Sequence, residues 1–514
     1  MTADFSRLQQ FRRELYACLL KRRDAIFNVL DSLSSFAHQC QSVVQLSKAP
    51  CFDRQYTSLT DAIADGLPAA DWQAIGKLVY AAVHPSPHSP PRFLLDVTHQ
   101  ARPYAKKLLD KTLVHAPNPT PGNKPIALGH AYAVVAQLPQ DALSLTAHWV
   151  MPLAVKRVQS TEKGHEVGMQ QVIEIVQQLG LSDKLSLSIG DSLYGTETCR
   201  RTALQEANLV HLLRLNSKRN VFSPPEKLQR SAKGRQQEFG TKMVLSDERT
   251  HPPCTQQLEM PWPSRQGKTG KVVINGWKDR LLRGSRQFRS SKHPINLVQI
   301  TVLDEAGNRL FKRPLWLAVF GKCRHEVSLD VCYSSYRARY DIEHFFRFGK
   351  TKLLLDAYQT PDVSHEESWW QLVMLAYAQL YLARESVTQC PEPWERYLPQ
   401  FQQPQPKVVT PTQTQRGFQK VLAEIGSPTA ACKPRGKPRG RATGESALKR
   451  EDSPVIFKGQ ATASEAKAIS LRLEETAANS NPKKITELLY LVTATLKQLN
   501  ISPETFVKTL LNTS

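Results

Sequence analysis

The sequence contains no closely paired cysteines and no long apolar runs, and each absence excludes a class of protein. Its nine cysteines, in 514 residues, include no CxxC pair and no Cys/His zinc spacing, which argues against a disulfide scaffold and a zinc finger. No apolar run approaches the roughly 18 to 20 residues of a transmembrane helix, and the first residues lack a signal-peptide core. We therefore expect a cytoplasmic protein with reduced thiols.

The histidines also show no metal-binding spacing along the chain. His84 and His88 are four residues apart, as two ligands on one helix face would be, but they lie in the proline-rich stretch HPSPHSPPR. Prolines at these positions exclude the helix that would bring the two rings together. No metal-binding pair of histidines is predicted.

Acidic residues are scarce in two segments of a chain whose net charge is +22. Residues 216–295 contain 17 Lys/Arg against 6 Asp/Glu, and residues 401–450 contain 10 against 2. Positive charge concentrated in this way is typical of a surface that binds a polyanion such as nucleic acid. A basic solvated linker is the alternative for the second segment, which is rich in Pro, Gln and Gly.

The apolar patterns predict a mixed α/β fold flanked by helices. Strands are predicted at 93–98, 131–139, 145–155, 185–191, 209–216 and 314–321, and helices at 166–180, 198–208, 328–350 and 368–385, the last buried. Residues 216–310 interrupt this order as a β-rich insertion with strands at 271–276 and 295–303. The order of elements resembles that of RNase H-like domains.

Changes in composition divide the chain into four predicted parts. Residues 1–90 form a helical N-terminal domain, either DNA-binding or a plain helical bundle, and residues 91–385 form the α/β domain with its insertion. Residues 386–480 form a basic flexible linker. Residues 481–514 form a C-terminal helix of undecided role.

Four polar residues, Tyr336, Arg339, Glu343 and Lys350, lie in the stretch YRARYDIEHFFRFGK. At about 100° per helical residue all four lie within an arc of roughly 60°. A phenol, two cations and one carboxylate on one stripe form an edge suited to phosphate, with one acid available to hold a metal. Asp341, two residues from Glu343, points about 200° away from it.

Two upstream acids, Asp96 and Asp191, each end the apolar run of a predicted strand and, with Glu343, complete a set of three carboxylates. Phosphodiester cleavage by two divalent ions requires such hard oxygen ligands, which suit Mg²⁺ or Mn²⁺. Each acid has an ordinary alternative. An acid after a strand often caps a helix or a turn, and Glu343 could form a surface pair with Arg339 or Arg347.

The chain resembles the DDE transposases of bacterial insertion sequences, those with a β-insertion. The spacing Tyr-x2-Arg-x3-Glu-x6-Lys, the segment Gly190–Gly195 and the segment Leu95–Thr98 carry the resemblance, which covers about residues 90–385. It implies that Asp96, Asp191 and Glu343 bind two Mg²⁺ or Mn²⁺ ions. It also implies a homodimer that pairs inverted-repeat ends, in a bacterial cytoplasm and associated with the nucleoid.

The resemblance implies further contacts with double-stranded DNA. Tyr336, Arg339 and Lys350 would contact phosphates, with Arg347 on the same helix. Trp277 either stacks on a flipped base, as an insertion-domain aromatic does in some relatives, or belongs to the core. The segment Lys433–Arg441 resembles an AT-hook, whose Arg435, Arg439 and Arg441 would enter the minor groove.

Three functions follow from these residues. The first is transposition, in which the enzyme cuts DNA at the element ends and transfers the strands to target DNA. The alternatives are an RNase H-like nuclease without strand transfer and a domesticated relative that only binds DNA. The basic insertion and the hook-like segment favour the first, because hydrolysis alone requires no second DNA surface.

Overall fold

The computed structural model describes residues 4–83, 89–116, 125–141, 146–225, 238–262, 269–285, 288–390, 409–432 and 450–456, with the single residues 397 and 444. The predicted C-terminal helix at 481–514 and the hook-like segment Lys433–Arg441 lie outside these ranges. In the described part of the chain, none of the helices combines the length and the apolar character that a membrane span requires.

The described helices and strands alternate in the mixed α/β order that the apolar patterns predict. The helices are α1 (Ser6–Cys18), α2 (Arg23–Ser35), α3 (Tyr56–Asp61), α4 (Trp72–Ala82), α5 (Gly164–Gln178), α6 (Glu197–Ala203), α7 (Leu329–Ala338), α8 (Asp341–Lys352), α9 (Val363–Ala383) and α10 (Pro411–Ile425). The strands are β1 (Arg92–Ala101), β2 (Thr112–His115), β3 (Ile126–Gln137), β4 (Met151–Val158), β5 (Ser186–Gly190), β6 (Leu209–Leu215), β7 (Asn220–Phe222), β8 (Lys242–Val244), β9 (Gln256–Pro261), β10 (Lys271–Arg280), β11 (Ile295–Leu303) and β12 (Leu315–Phe320).

Ten of these strands form one sheet in the order β2-β3-β1-β5-β6-β12-β11-β10-β9, with β4 paired to β3. The pairs β1–β5 and β5–β6 are parallel, and the pairs from β6 through β12 to β9 are antiparallel. All five residues of β5 are buried, as expected for a central parallel strand covered on both faces. This is the RNase H-like α/β architecture.

The β-rich insertion extends the main sheet instead of standing apart from it. Its strands β9, β10 and β11 continue the sheet from β12, while β7 and β8 form a separate two-stranded sheet. Most of the insertion is therefore part of the main sheet, on the far side of β12 from the central parallel strands.

The N-terminal helices and the helices after the sheet share one core. α9 is buried along nearly its whole length, as its uniformly apolar sequence predicts, and it packs against α1, α2 and α10. Arg12 on α1 forms a buried ion pair with Asp31 on α2, with an Nη2–Oδ2 distance of 3.0 Å, and also bonds to Gln379 on α9. These contacts hold the N-terminal helices against α9.

The structure corrects the predicted continuous helix at 328–350. The helix is interrupted at Arg339 and Tyr340, which separate α7 from α8. The backbone N–H of Arg339 bonds to the carbonyl of Tyr336, three residues back, and the N–H of Glu343 bonds to that of Tyr340. Three-residue spacing tightens the turn and interrupts the α-helix at this joint. The apolar periodicity of the sequence nevertheless continues across it.

Contacts between residues divide the chain into two compact units. One comprises Met1–Thr98, Tyr132–Arg157 and Gly164–Ser446, and the other comprises His99–Ala131, Val158–Lys163 and Ala447–Ser514. The second contains the pairing of β2 with the first half of β3, and the Ile456 N–H donates to the Lys111 carbonyl at 2.9 Å. The predicted boundaries at 90, 385 and 480 stay predictions.

Candidate active site

The register of the parallel strands places Asp96 beside Asp191. Leu94 on β1 is paired with Ile189 on β5, so the same register, continued by two residues, sets Asp96 opposite Asp191. Neighbouring strands lie about 4.8 Å apart, which brings the two carboxylates to the same edge. The sequence predicts that Asp96 lies at the end of its strand. The structure corrects this prediction, because β1 continues past Asp96 to Ala101. It is β5 that ends here, at Gly190, directly before Asp191.

Asp191 begins a sharp turn whose shape depends on Gly190. The Asp191 Oδ1 accepts a hydrogen bond from the Leu193 N–H at 2.8 Å and caps the one-turn 3-10 helix Ser192–Gly195. The Tyr194 ring folds back over Gly190, where a Cβ atom would lie only 2.7 Å from the ring. The buried Tyr194 ring thus supports the turn from below and leaves Asp191 at the surface of the sheet.

Arg339 joins the third acid to the first. Its Nη1 lies 3.5 Å from Oδ2 of Asp96 on β1, and its Nη2 lies 3.3 Å from Oε1 of Glu343 in the first turn of α8. The Glu343 contact alone is an ordinary i, i+4 pair. The additional contact with Asp96 shows that Glu343 faces the sheet, where one cation reaches both carboxylates.

Burial is the main cause that raises the pKa of the Asp96 carboxyl to about 6; the negative charges of Asp191 and Glu343 act in the same direction, and the Arg339 charge and the Val97 N–H oppose them. The Val97 N–H donates to Asp96 Oδ1 at 2.8 Å. A positive partner therefore stabilises the charged form of this buried acid.

The donor set fits a divalent metal centre. Asp96, Asp191 and Glu343 come from β1, the end of β5 and α8, and supply only carboxylate oxygens, which suit Mg²⁺ or Mn²⁺. In the protein alone, the guanidinium of Arg339 supplies positive charge to two of the three acids.

The other predicted DNA contacts in this segment lie on α7 and α8. Tyr336 packs beside Arg339, whose guanidinium carbon is 5.8 Å from the ring centre. Lys350 is roughly two turns beyond Glu343 on α8, and its Nζ lies 3.6 Å from Asp356 Oδ2. Arg347 is exposed on α8.

Trp277 belongs to the core, which is one of the two positions that the sequence allowed for it. Its side chain is 3% exposed, and its indole N–H donates to the Pro252 carbonyl at 2.8 Å. A ring enclosed in this way has no face to offer a base, which corrects its inclusion among the DNA contacts.

Sequence reasoning missed two clefts that flank the carboxylates. One, of about 410 Å³, is lined by aromatic and arginine side chains, including Trp262, Phe311, Tyr336, Tyr340, Arg214, Arg313, Arg337 and Arg339. The other, also about 410 Å³, begins at the Asp191 turn with Ser192 and Gly195 and is lined by Arg200, Arg214, Lys218, Arg219 and Arg283. Arg214, at the end of β6, lines both. Only the basic composition of the insertion pointed to such a surface.

Comparison with known proteins gives one match. Residues 14–277, just over half of the chain, match the family described as DDE superfamily endonuclease. Asp96 and Asp191 lie within the matched residues, whereas Glu343 and the Tyr336–Lys350 signature lie beyond them. No curated protein matches the chain.

Proposed function

Because the chain belongs to the DDE superfamily endonuclease family, we propose that it is a transposase. In this proposal it cuts DNA at the inverted-repeat ends of an insertion sequence and joins those ends to target DNA. The observation that carries the proposal is that one guanidinium contacts two of the three carboxylates, Asp96 and Glu343, with two arginine-lined clefts beside it.

Asp96, Asp191 and Glu343 would hold two Mg²⁺ or Mn²⁺ ions. When bound, such a pair supplies a nucleophile activated near neutral pH and neutralises charge on the leaving oxygen. In this proposal the scissile phosphate lies beside the acids, at the shared edge of β1 and β5. Arg339, already bonded to two of these acids, places its positive charge at that phosphate.

The two clefts give the DNA end a path on either side of the acids. The cleft with Arg200, Lys218, Arg219 and Arg283 is suited to backbone phosphates, which arginine and lysine bind without reading sequence. In the other cleft, Trp262 and Phe311 offer ring faces on which an unpaired base can stack. Trp262, directly after β9, replaces Trp277 as the proposed stacking residue.

We propose additional DNA contacts on the basis of the sequence alone. Arg435, Arg439 and Arg441 in the hook-like segment would lie in the minor groove of A/T-rich DNA. Two copies of the chain would hold the two element ends together. The Lys350 and Arg347 side chains on α8 would contact phosphates further along the duplex.

The test is a cleavage and joining assay. The protein is incubated with Mg²⁺ and a DNA fragment that carries the terminal repeats flanking its coding region, alongside Asp191→Asn. Asp183→Asn, which changes an exposed acid shortly before β5, is the matched control. We expect cut and strand-joined products from the parent and the control, and a loss of roughly a thousandfold or more in rate for Asp191→Asn, which still binds the DNA.

Each other outcome identifies an alternative. Cutting without joining indicates a nuclease, and binding without cutting indicates a DNA-binding relative. If Asp191→Asn cuts as fast as Asp183→Asn, the assignment of the site is wrong.

A further inference from the structure

Three side chains with metal-ligating groups lie close together at the start of α8. His148, Asp341 and His344 each offer one ligand atom, and these three atoms lie within 4.8 Å of one another. We propose that they form a binding site for one transition-metal ion of the zinc class, separate from the three-carboxylate site. The proposal does not depend on DNA cleavage.

The fold brings these residues together from two distant segments. His148 lies in the segment before β4, and Asp341 and His344 lie in the first turn of α8. The His148 and His344 rings stack with their centres 4.5 Å apart, and the Nδ1 of His148 bonds to the Asp341 carboxylate. Asp341 is 4% exposed, and a carboxylate buried to that degree requires a positive partner.

The chemistry of the ligands selects the ion. Two imidazoles and one carboxylate suit zinc and related ions, whereas three carboxylates suit Mg²⁺ or Mn²⁺. Around a tetrahedral zinc ion, with bonds of about 2.0–2.1 Å, neighbouring ligand atoms lie roughly 3.4 Å apart. To reach this separation, the distances between the three ligand atoms must change by no more than about 1.5 Å. Rotation of the two histidine side chains provides such a change. The fourth position would be open to water.

The position of the site gives the ion a structural role. Asp341 and His344 lie on either side of Glu343 in the sequence, two residues before it and one after it. An ion bound to them and to His148 would fix the first turn of α8 to the segment before β4. It would therefore hold the helix turn that carries Glu343 without touching the DNA.

Zinc titration of the metal-free protein tests the proposal. The probe is Zn²⁺ alone, followed by calorimetry on the parent, His148→Ala, His344→Ala and the control His325→Ala, which removes a histidine on the exposed surface. We expect one Zn²⁺ per chain in the parent and the control, and at least a tenfold weaker affinity in each of the two ligand variants. Asp191→Asn should bind Zn²⁺ as the parent does, which keeps this test apart from that of the carboxylate site.

X-ray absorption of the zinc-loaded parent provides a readout that needs no variant. A first shell of nitrogen and oxygen supports the proposal, and a shell containing sulfur overturns it. The proposal also fails if the parent binds no Zn²⁺ at micromolar concentration, or if both ligand variants bind it unchanged.

Discussion

Arg339 is placed by the structure where the sequence would place a metal ion. It contacts Asp96 and Glu343 at once, whereas the sequence predicted a phosphate contact or a surface pair with Glu343 alone. In the proposed mechanism the two roles agree, because a guanidinium that neutralises the acids before metal and DNA bind would lie beside the phosphate afterwards.

The first prediction concerns removal of this charge. Arg339→Gln leaves partly buried acids without a positive partner, so we expect the metal-free variant to lose about 1–3 kcal/mol in the free energy of unfolding. Mg²⁺ should restore more of that stability in the variant than it adds to the parent. Urea unfolding in EDTA and in Mg²⁺ measures both effects.

Arg249→Gln is the control, because Arg249 bonds to Asp247 on the exposed surface and should change neither value. Equal stability of Arg339→Gln and the parent in EDTA would show that the guanidinium does not hold the acids together.

The second prediction follows from the pKa of Asp96, raised by burial from its ordinary value of 3.8 to about 6 in the protein without metal. Between about pH 6 and pH 4 the folded protein binds a proton that the unfolded chain does not, so this group stabilises the fold as pH falls and loses that contribution as pH rises through 6. Asp96→Asn stays neutral. We expect it to exceed the parent by roughly 2–3 kcal/mol at pH 8 and to match it near pH 4.

Thermal or urea unfolding in EDTA at both pH values measures this difference. A stability gap that is the same at pH 8 and pH 4 contradicts the assigned titration, since it would then reflect packing and not charge.

Among the elements, the turn after β5 is the one on which the site most depends. Gly190 allows the Tyr194 ring to pack against the backbone, and a Cβ there would lie 2.7 Å from that ring. The third prediction is that Gly190→Ala displaces Tyr194 and with it Asp191, costing about 1–3 kcal/mol in stability and at least tenfold in cleavage rate.

Gly76→Ala is the matched control, because a Cβ at this position in α4 meets no atom within 4 Å and should stabilise the helix slightly. Cleavage by Gly190→Ala at the parent's rate would mean that the turn does not set the position of Asp191.

Elements were predictable where local pattern decides them. The apolar runs predicted β1, β5, β6 and β12, and the uniformly apolar sequence predicted the buried α9. The position of Asp96 opposite Asp191 was not predictable, because it depends on the pairing of β1 with β5, about 90 residues away. The joint at Arg339 and Tyr340 was missed because the apolar period runs through it unchanged.

The candidate site was predictable to a similar extent. The spacing within one segment indicated Tyr336, Arg339 and Glu343, but no spacing links His148 to His344 or Arg214 to Trp262. Such groups exist only once the strands are assembled. Trp277 was included wrongly for a related reason. Its position in a basic segment does not show whether a tryptophan stacks on a base or lies in the core.

In the assembled fold, the charge of the insertion becomes a surface beside the acids. The insertion extends the main sheet, and Arg219 and Arg283 lie in the cleft that begins at the Asp191 turn. The fourth prediction is that the double variant Arg219→Gln, Arg283→Gln weakens DNA binding. The slope of log K against log salt should become shallower by about 0.9 for each DNA phosphate that the variant no longer neutralises.

Binding isotherms between about 50 and 200 mM salt measure this slope, and Arg249→Gln, with its exposed arginine outside the cleft, serves as control. A slope unchanged from that of the control would place the DNA elsewhere on the molecule.

The position at which manganese binds decides whether the three carboxylates form one metal site. Crystals of the parent grown with Mn²⁺, and diffraction data measured for anomalous scattering, locate the ion without any assay of activity. We predict Mn²⁺ at roughly 2 Å from carboxylate oxygens of Asp96, Asp191 and Glu343 together, with Arg339 moved from between the acids. Saturating Mn²⁺ that leaves Arg339 bonded to Asp96 and Glu343, and no ion beside them, would contradict the three-carboxylate site.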